Sequence, residues 1–109
     1  MTDEANVWRP ITAEELRALI NRELALCSRE DVALFETAII DPKKIRFERG
    51  TLSDDVFAVA QVGKKVLFYD DTEDAFEVAT PTGDGVIRGI GAGQFTFSHA
   101  LAQIRLGLR

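Results

Sequence analysis

Apolar positions recur along this chain with two different periods, and the period changes at Pro42. Before it, PITAEELRALINRELALC places Leu16, Leu19, Ile20 and Cys27 on one helical face, with Leu24 beside them. Thr12 stands where a cap belongs, Glu15 completes a capping box, and Ile11 is spaced to staple onto Leu16. The pattern predicts a helix over about 13 to 26. Ser28 and Asp31 repeat the start signal, with Cys27 and Val32 in staple positions, so a second helix should follow after a sharp corner at Ser28. Val32, Phe35 and Ile39 give it an apolar stripe, and Pro42 disfavours helical geometry at Asp41, making IIDP the exit into extended chain.

Beyond Pro42 the alternation is that of strands. In KIRFER, Ile45 and Phe47 alternate with Arg46 and Glu48, as a half-buried strand requires. VFAVAQV and KVLFYDD are nearly continuous apolar runs separated at Gly63 and Lys64, a spacing that suits a two-residue hairpin between central strands. FEVAT and GVIRGI supply two further strands, divided by the turn-forming PTGDG. In the tail, Phe97, Leu101, Ile104 and Leu108 return to helical spacing, with Thr96 or Ser98 as the cap.

The order implies an α+β fold: two N-terminal helices, a four- to five-stranded antiparallel meander, and a C-terminal helix packed on the sheet, with the helices covering one face. The expected core contains Leu16, Leu19, Ile20, Phe35, Phe47, Val59, Leu67, Phe68, Val78, Leu101 and Ile104. At 109 residues the chain fits one domain, and folding should bury roughly two thirds of the surface its unfolded form exposes. The first seven residues read as a mobile arm.

Composition narrows the function classes. With 46% hydrophobic and 28% charged residues the chain reads as an ordinary globular protein. No apolar run approaches the roughly 20 residues that span a bilayer, and the acidic start lacks the marks of a signal peptide, so a cytoplasmic location is expected. A net charge of −5 disfavours nucleic acid and anionic membrane as partners. Cys27 is the only cysteine, which excludes an internal disulfide and the usual thiolate cluster of a zinc site; it reads as a small core residue.

GIGAG, Gly89 to Gly93, raises the question of a phosphate-binding loop. A dinucleotide fingerprint needs glycines at the first, third and sixth positions, but the sixth here is Gln94, and too little chain follows for another strand. A bulge or tight reversal is the better reading. His99 directly follows Ser98, so the two side chains leave a helix in different directions and make no nucleophile and base pair. Tyr69, in the apolar run VLFY, reads as a core or sheet-edge aromatic. No catalytic residue, metal ligand or cofactor site is assigned, and a non-enzymatic protein is expected.

One stretch has more substance. DDTEDAFE places Asp70, Asp71, Glu73, Asp74 and Glu77 within eight residues, around what should be an inter-strand loop. The spacing and glycine of a calcium-binding EF-hand are absent. A solvated turn or a protein-recognition surface remains. Lys43, Lys44, Arg46 and Arg49, with Lys64 and Lys65, read as charged protection of sheet edges.

In size, acidic balance, helix-then-meander order and the segment VLFYDDTEDAFEVATPTGDGVI, the chain resembles the small acidic immunity proteins of bacterial toxin systems. The resemblance implies a non-enzymatic inhibitor that sets carboxylates against the basic surface of a cognate toxin domain. On that basis Tyr69, Asp70, Asp71, Glu73 and Asp74 are the expected partner-binding residues, with Tyr69 as an aromatic anchor. Two other readings stand beside it. A curved sheet under helices can enclose a small-molecule pocket without leaving a motif. A homodimer through Trp8 and a strand edge would make the protein structural.

Overall fold

The structure, a computed structural model, describes residues 10–71, 73–88 and 96–107. Thr12 and Glu15 form the capping box expected of them. The Glu15 N–H donates to the Thr12 hydroxyl at 3.1 Å, and the Glu15 carboxylate accepts from the Thr12 N–H at 3.0 Å. Helix α1, Ala13–Leu24, follows directly. Ser28 caps α2, Arg29–Ala38, by accepting from the Asp31 N–H at 3.1 Å. The reciprocal half of this second box is not formed. Asp31, 8% exposed, turns its carboxylate to Arg105 Nη1 at 2.8 Å and ties α2 to the last helix.

The chain passes from α2 straight into the sheet. The strands are β1 Ile39–Arg49, β2 Leu52–Val62, β3 Lys65–Asp70, β4 Ala75–Ala79 and β5 Ile87–Arg88, and α3, Phe97–Gly107, follows. Gly63, at φ 59°, makes the predicted hairpin between β2 and β3. Left-handed geometry of this kind favours glycine. Two irregularities shape the sheet. Between Ile39 and Lys43, β1 bulges against the step from Ala60 to Ala58, at the proline that cannot donate to the ladder. Between Ala58 and Ala60, β2 bulges against β3, so that Val59 and Ala60 both join the helix-side core.

The sheet order is β4-β3-β2-β1-β5. Strands β1 to β4 form the antiparallel meander that the turn signals predict. Strand β5 departs from it. Instead of adding beside β4, it crosses to the far edge and pairs parallel to β1, Ile87 with Phe47 and Arg88 with Glu48. The sheet is therefore mixed, and PTGDG begins a crossover rather than closing a hairpin. In that crossover Arg88 meets Asp84 at 2.9 Å and Glu48 at 3.1 Å. Arg88 and the Thr82 hydroxyl, by hydrogen bonding, hold the Asp84 carboxyl well below the usual carboxylate range.

Apolar residues collect on both faces of the sheet. On the helix side, Leu16, Ile20, Phe35, Leu67, Phe76, Phe97, Leu101 and Ile104 belong to one buried cluster, with Leu19 and Val78 partly buried against it. The rings of Phe35 and Phe97 meet edge to face at 5.2 Å, Phe97 meets Phe76 at 5.0 Å, and Phe76 meets Tyr69 at 5.0 Å. A second cluster holds Phe47, Val56, Ala58, Val66, Phe68 and Ile87, with Phe47 and Phe68 at 5.3 Å. Ala79 and Ile87, which flank the crossover, both belong to this second cluster. Trp8, the Gly89–Gly93 loop and Leu108 lie outside the described residues.

Candidate functional site: the acidic end of the sheet

Strand alternation divides the acidic string as soon as it leaves β3. Tyr69 pairs with Phe76 and sits on the helix side, buried in the core. Asp70, its neighbour, pairs with Ala75 and is 0% exposed. The expectation that Asp70 forms part of an exposed binding loop is corrected by this burial: successive side chains of a strand take opposite faces, and Asp70 still belongs to the strand. Glu77, opposite Phe68 on β4, is also buried.

The turn after β3 fastens two of its carboxylates to the protein. Asp71 Oδ2 accepts the Ile11 N–H at 3.0 Å, tying the turn to the residue before the α1 cap. Asp74 takes a left-handed conformation, φ 53°, which Asp tolerates better than most residues, and accepts the Tyr69 hydroxyl. The phenol is pushed well above its ordinary pKa, first by burial, then by the hydrogen bond to Asp74 and by the charges of Asp74, Asp71 and Asp70. Glu73 and Asp74 remain exposed. Tyr69 is thus a support for the turn, and its buried ring is not offered as an anchor.

The fold adds carboxylates from outside the DDTEDAFE string. Pairing of Phe57 with Tyr69 brings the start of β2 alongside the end of β3. Asp54 and Asp55 thereby join Asp71 and Tyr69 around a recess of about 260 Å³, with Val56 and Phe57 also in its lining. Lys44 reaches the same recess, its Nζ 5.7 Å from the Phe57 ring centroid. Asp54 and Asp55 are exposed, and Phe57 is half-buried. SDDV at a strand start was the available signal, but only the register reveals what lies next to it.

The remaining candidates take structural positions. Cys27 is half-buried, and its thiol donates to the Glu23 carbonyl at 3.3 Å. Burial, then the charges of Asp31 and Glu23, push this thiol up, away from the thiolate needed for reactivity. His99 is exposed in the first turn of α3, where its N–H donates to the Thr96 hydroxyl at 3.3 Å. Among the described residues no three His, Cys, Asp or Glu side chains converge as a metal set, and no helix is long and apolar enough to cross a membrane. A second concavity, about 600 Å³, lies on the helix side between α1 and the first two strands. Comparison with protein-family models, with curated proteins and with solved structures returns no match.

Proposed function

We propose that this protein is a non-enzymatic interaction domain that presents its acidic end to a basic protein partner, in the manner of an immunity protein facing its toxin. The observation that supports this reading is the gathering of Asp54 and Asp55 from β2 with Asp71, Tyr69 and Phe57 around one recess, with the exposed Glu73 and Asp74 in the same turn as Asp71. Carboxylates on two adjoining strand ends raise the local negative potential and steer a basic surface toward them. Half-buried Phe57 supplies the apolar contact that charge alone lacks. The bonds from Ile11 to Asp71 and from Tyr69 to Asp74 hold the turn in place before a partner arrives, which lowers the ordering cost of binding.

The test is the association rate with a basic partner, such as a toxin domain encoded beside this gene, measured across a salt series. Reversing Asp55 and Glu73 to lysine should slow association about tenfold or more at low salt, and the difference should shrink once salt shortens the screening length to about 10 Å or less. Reversing Glu30 and Glu36 on α2, neither of which lines the recess, should have a much smaller effect. Equal rates for the two pairs would remove the acidic end from the mechanism. The buried Asp70 is unsuitable as a probe, because a lysine there would test folding instead of binding.

A second reading, small-molecule binding, is favoured by the 600 Å³ groove under α1, whose size falls within the roughly 300–1,000 Å³ of ordinary ligand sites.

A further inference from the structure

Helix α1 presents Arg17, Ile20, Asn21 and Leu24 to this groove, positions spaced to form one stripe along its length. Facing them are Phe35 and Glu36 near the end of α2, the bulged start of β1 from Ile39 to Pro42, and Val59 at the β2 bulge. Both bulges shape the wall opposite α1. The floor is apolar: Ile20, Phe35 and Val59 are buried, while Leu24 and Ile40 are half-buried. Ile39, 56% exposed, extends the apolar surface to the rim.

Charge at the mouth is unequal. Glu36 and Asp41 are exposed carboxylates, and among the described residues the one cation lining the groove is Arg17. Arg17 reaches Asp41 only at 4.0 Å, the outer limit of an ion pair, and the Asp41 side chain is fully solvent-facing. The described residues of the lining therefore sum to −1 on a chain of net charge −5, so an anionic head group is opposed both by them and by the whole molecule. An apolar body fits the floor, and a positive head fits the mouth.

We propose that this groove binds a small amine with an apolar body, its ammonium held between Glu36 and Asp41 and its hydrocarbon or ring portion over Val59 and Phe35. This inference rests on the ligand-binding reading and names the ligand class that reading leaves open. The ammonium replaces the distant Arg17 as the partner of Asp41, and Glu36 supplies a second acceptor. Two exposed charge pairs of this kind correspond to a preference of roughly fivefold at low salt over a neutral ligand of the same shape.

A matched set of probes tests this: 4-phenylbutylamine, 4-phenylbutan-1-ol and 4-phenylbutyrate, titrated into the 109-residue protein at low salt and followed by backbone and methyl NMR. The expected result is shift changes at Ile20, Leu24, Ile39 and Val59, with the amine binding about fivefold or more tightly than the alcohol and the carboxylate weakest. In E36Q/D41N the amine's advantage should fall to less than about twofold while the alcohol binds as before. Asn21→Trp, a change at an exposed position that fills the groove, should abolish all three. Equal binding of amine and alcohol, or a preference for the carboxylate, overturns the ligand class and leaves the ligand-binding reading standing. No shifts at the groove with any probe, or amine shifts confined to Asp55 and Asp71, overturn both.

Discussion

Tyr69 is the only tyrosine in the chain, so its ionisation can be followed without interference. Its phenol is buried in the helix-side core and donates to Asp74 among three carboxylates, all of which favour the neutral form. A pKa raised in the folded state means that the group's contribution to stability is complete below the ordinary tyrosine value of about 10 and is lost as pH rises beyond it. Tyrosinate absorbance in the wild type should therefore appear only well above pH 10, together with loss of far-ultraviolet circular dichroism. In Asp74→Asn it should appear at lower pH. Ionisation near 10 with the dichroism unchanged would contradict the burial and the bond to Asp74. The same neighbourhood explains which part of the site was legible. DDTEDAFE announces carboxylates, but Asp70 turns inward and Asp71 and Asp74 bond to Ile11 and Tyr69, because alternation and turn geometry act on each residue separately.

At the scale of elements, local signals located nearly everything except the place of the last strand. Thr12, Glu15, Ser28 and Gly63 each act within a few residues of themselves, and the two N-terminal helices and the β2–β3 hairpin appear where those residues put them. Strand β1 begins at Ile39, which leaves the α2 stripe expected of it and is 56% exposed, and Pro42 falls inside the strand. The GVIRGI run is apolar enough to be a strand but carries nothing to say which edge it joins. Ile87 settles there by burying its side chain against Phe47. Ile87→Ala should cost roughly 2–4 kcal/mol in urea denaturation, as expected for a large aliphatic removed from a closed cluster. Val86→Ala, at the half-exposed neighbour, should cost under about 1 kcal/mol. Similar small losses for both would mean that β5 does not lie on β1 in solution.

For the whole molecule, the proposed recognition surface also bears on stability. Asp54, Asp55, Asp71, Glu73 and Asp74 concentrate negative charge on a chain already at −5, and like charges held together oppose folding, while under the proposed function they favour a basic partner. Asp55→Asn should accordingly stabilise the free protein by a few tenths of a kcal/mol, about 0.3–0.5, at low ionic strength while slowing association with that partner. Added salt should stabilise the wild type and narrow its difference from Asp55→Asn. A destabilised Asp55→Asn would show that this carboxylate supports the fold and is not held there against repulsion.

The sequence by itself determined the element types, their boundaries within a few residues, the two helix caps, most of the core and the acidic balance. These depend on periodicity and on interactions between residues close in the chain, which spacing records directly. Tertiary structure alone decided four things: the crossing of β5 to β1, the turning of Asp31 from its own cap to Arg105, the burial of Asp70, and the meeting of Asp54 and Asp55 with Asp71. The groove under α1 belongs with them, since its walls come from α1, α2, β1 and β2 and its shape from two bulges. Each depends on the register and packing of segments distant in the chain. Several arrangements of the same elements bury similar apolar area, so no short stretch specifies the one adopted.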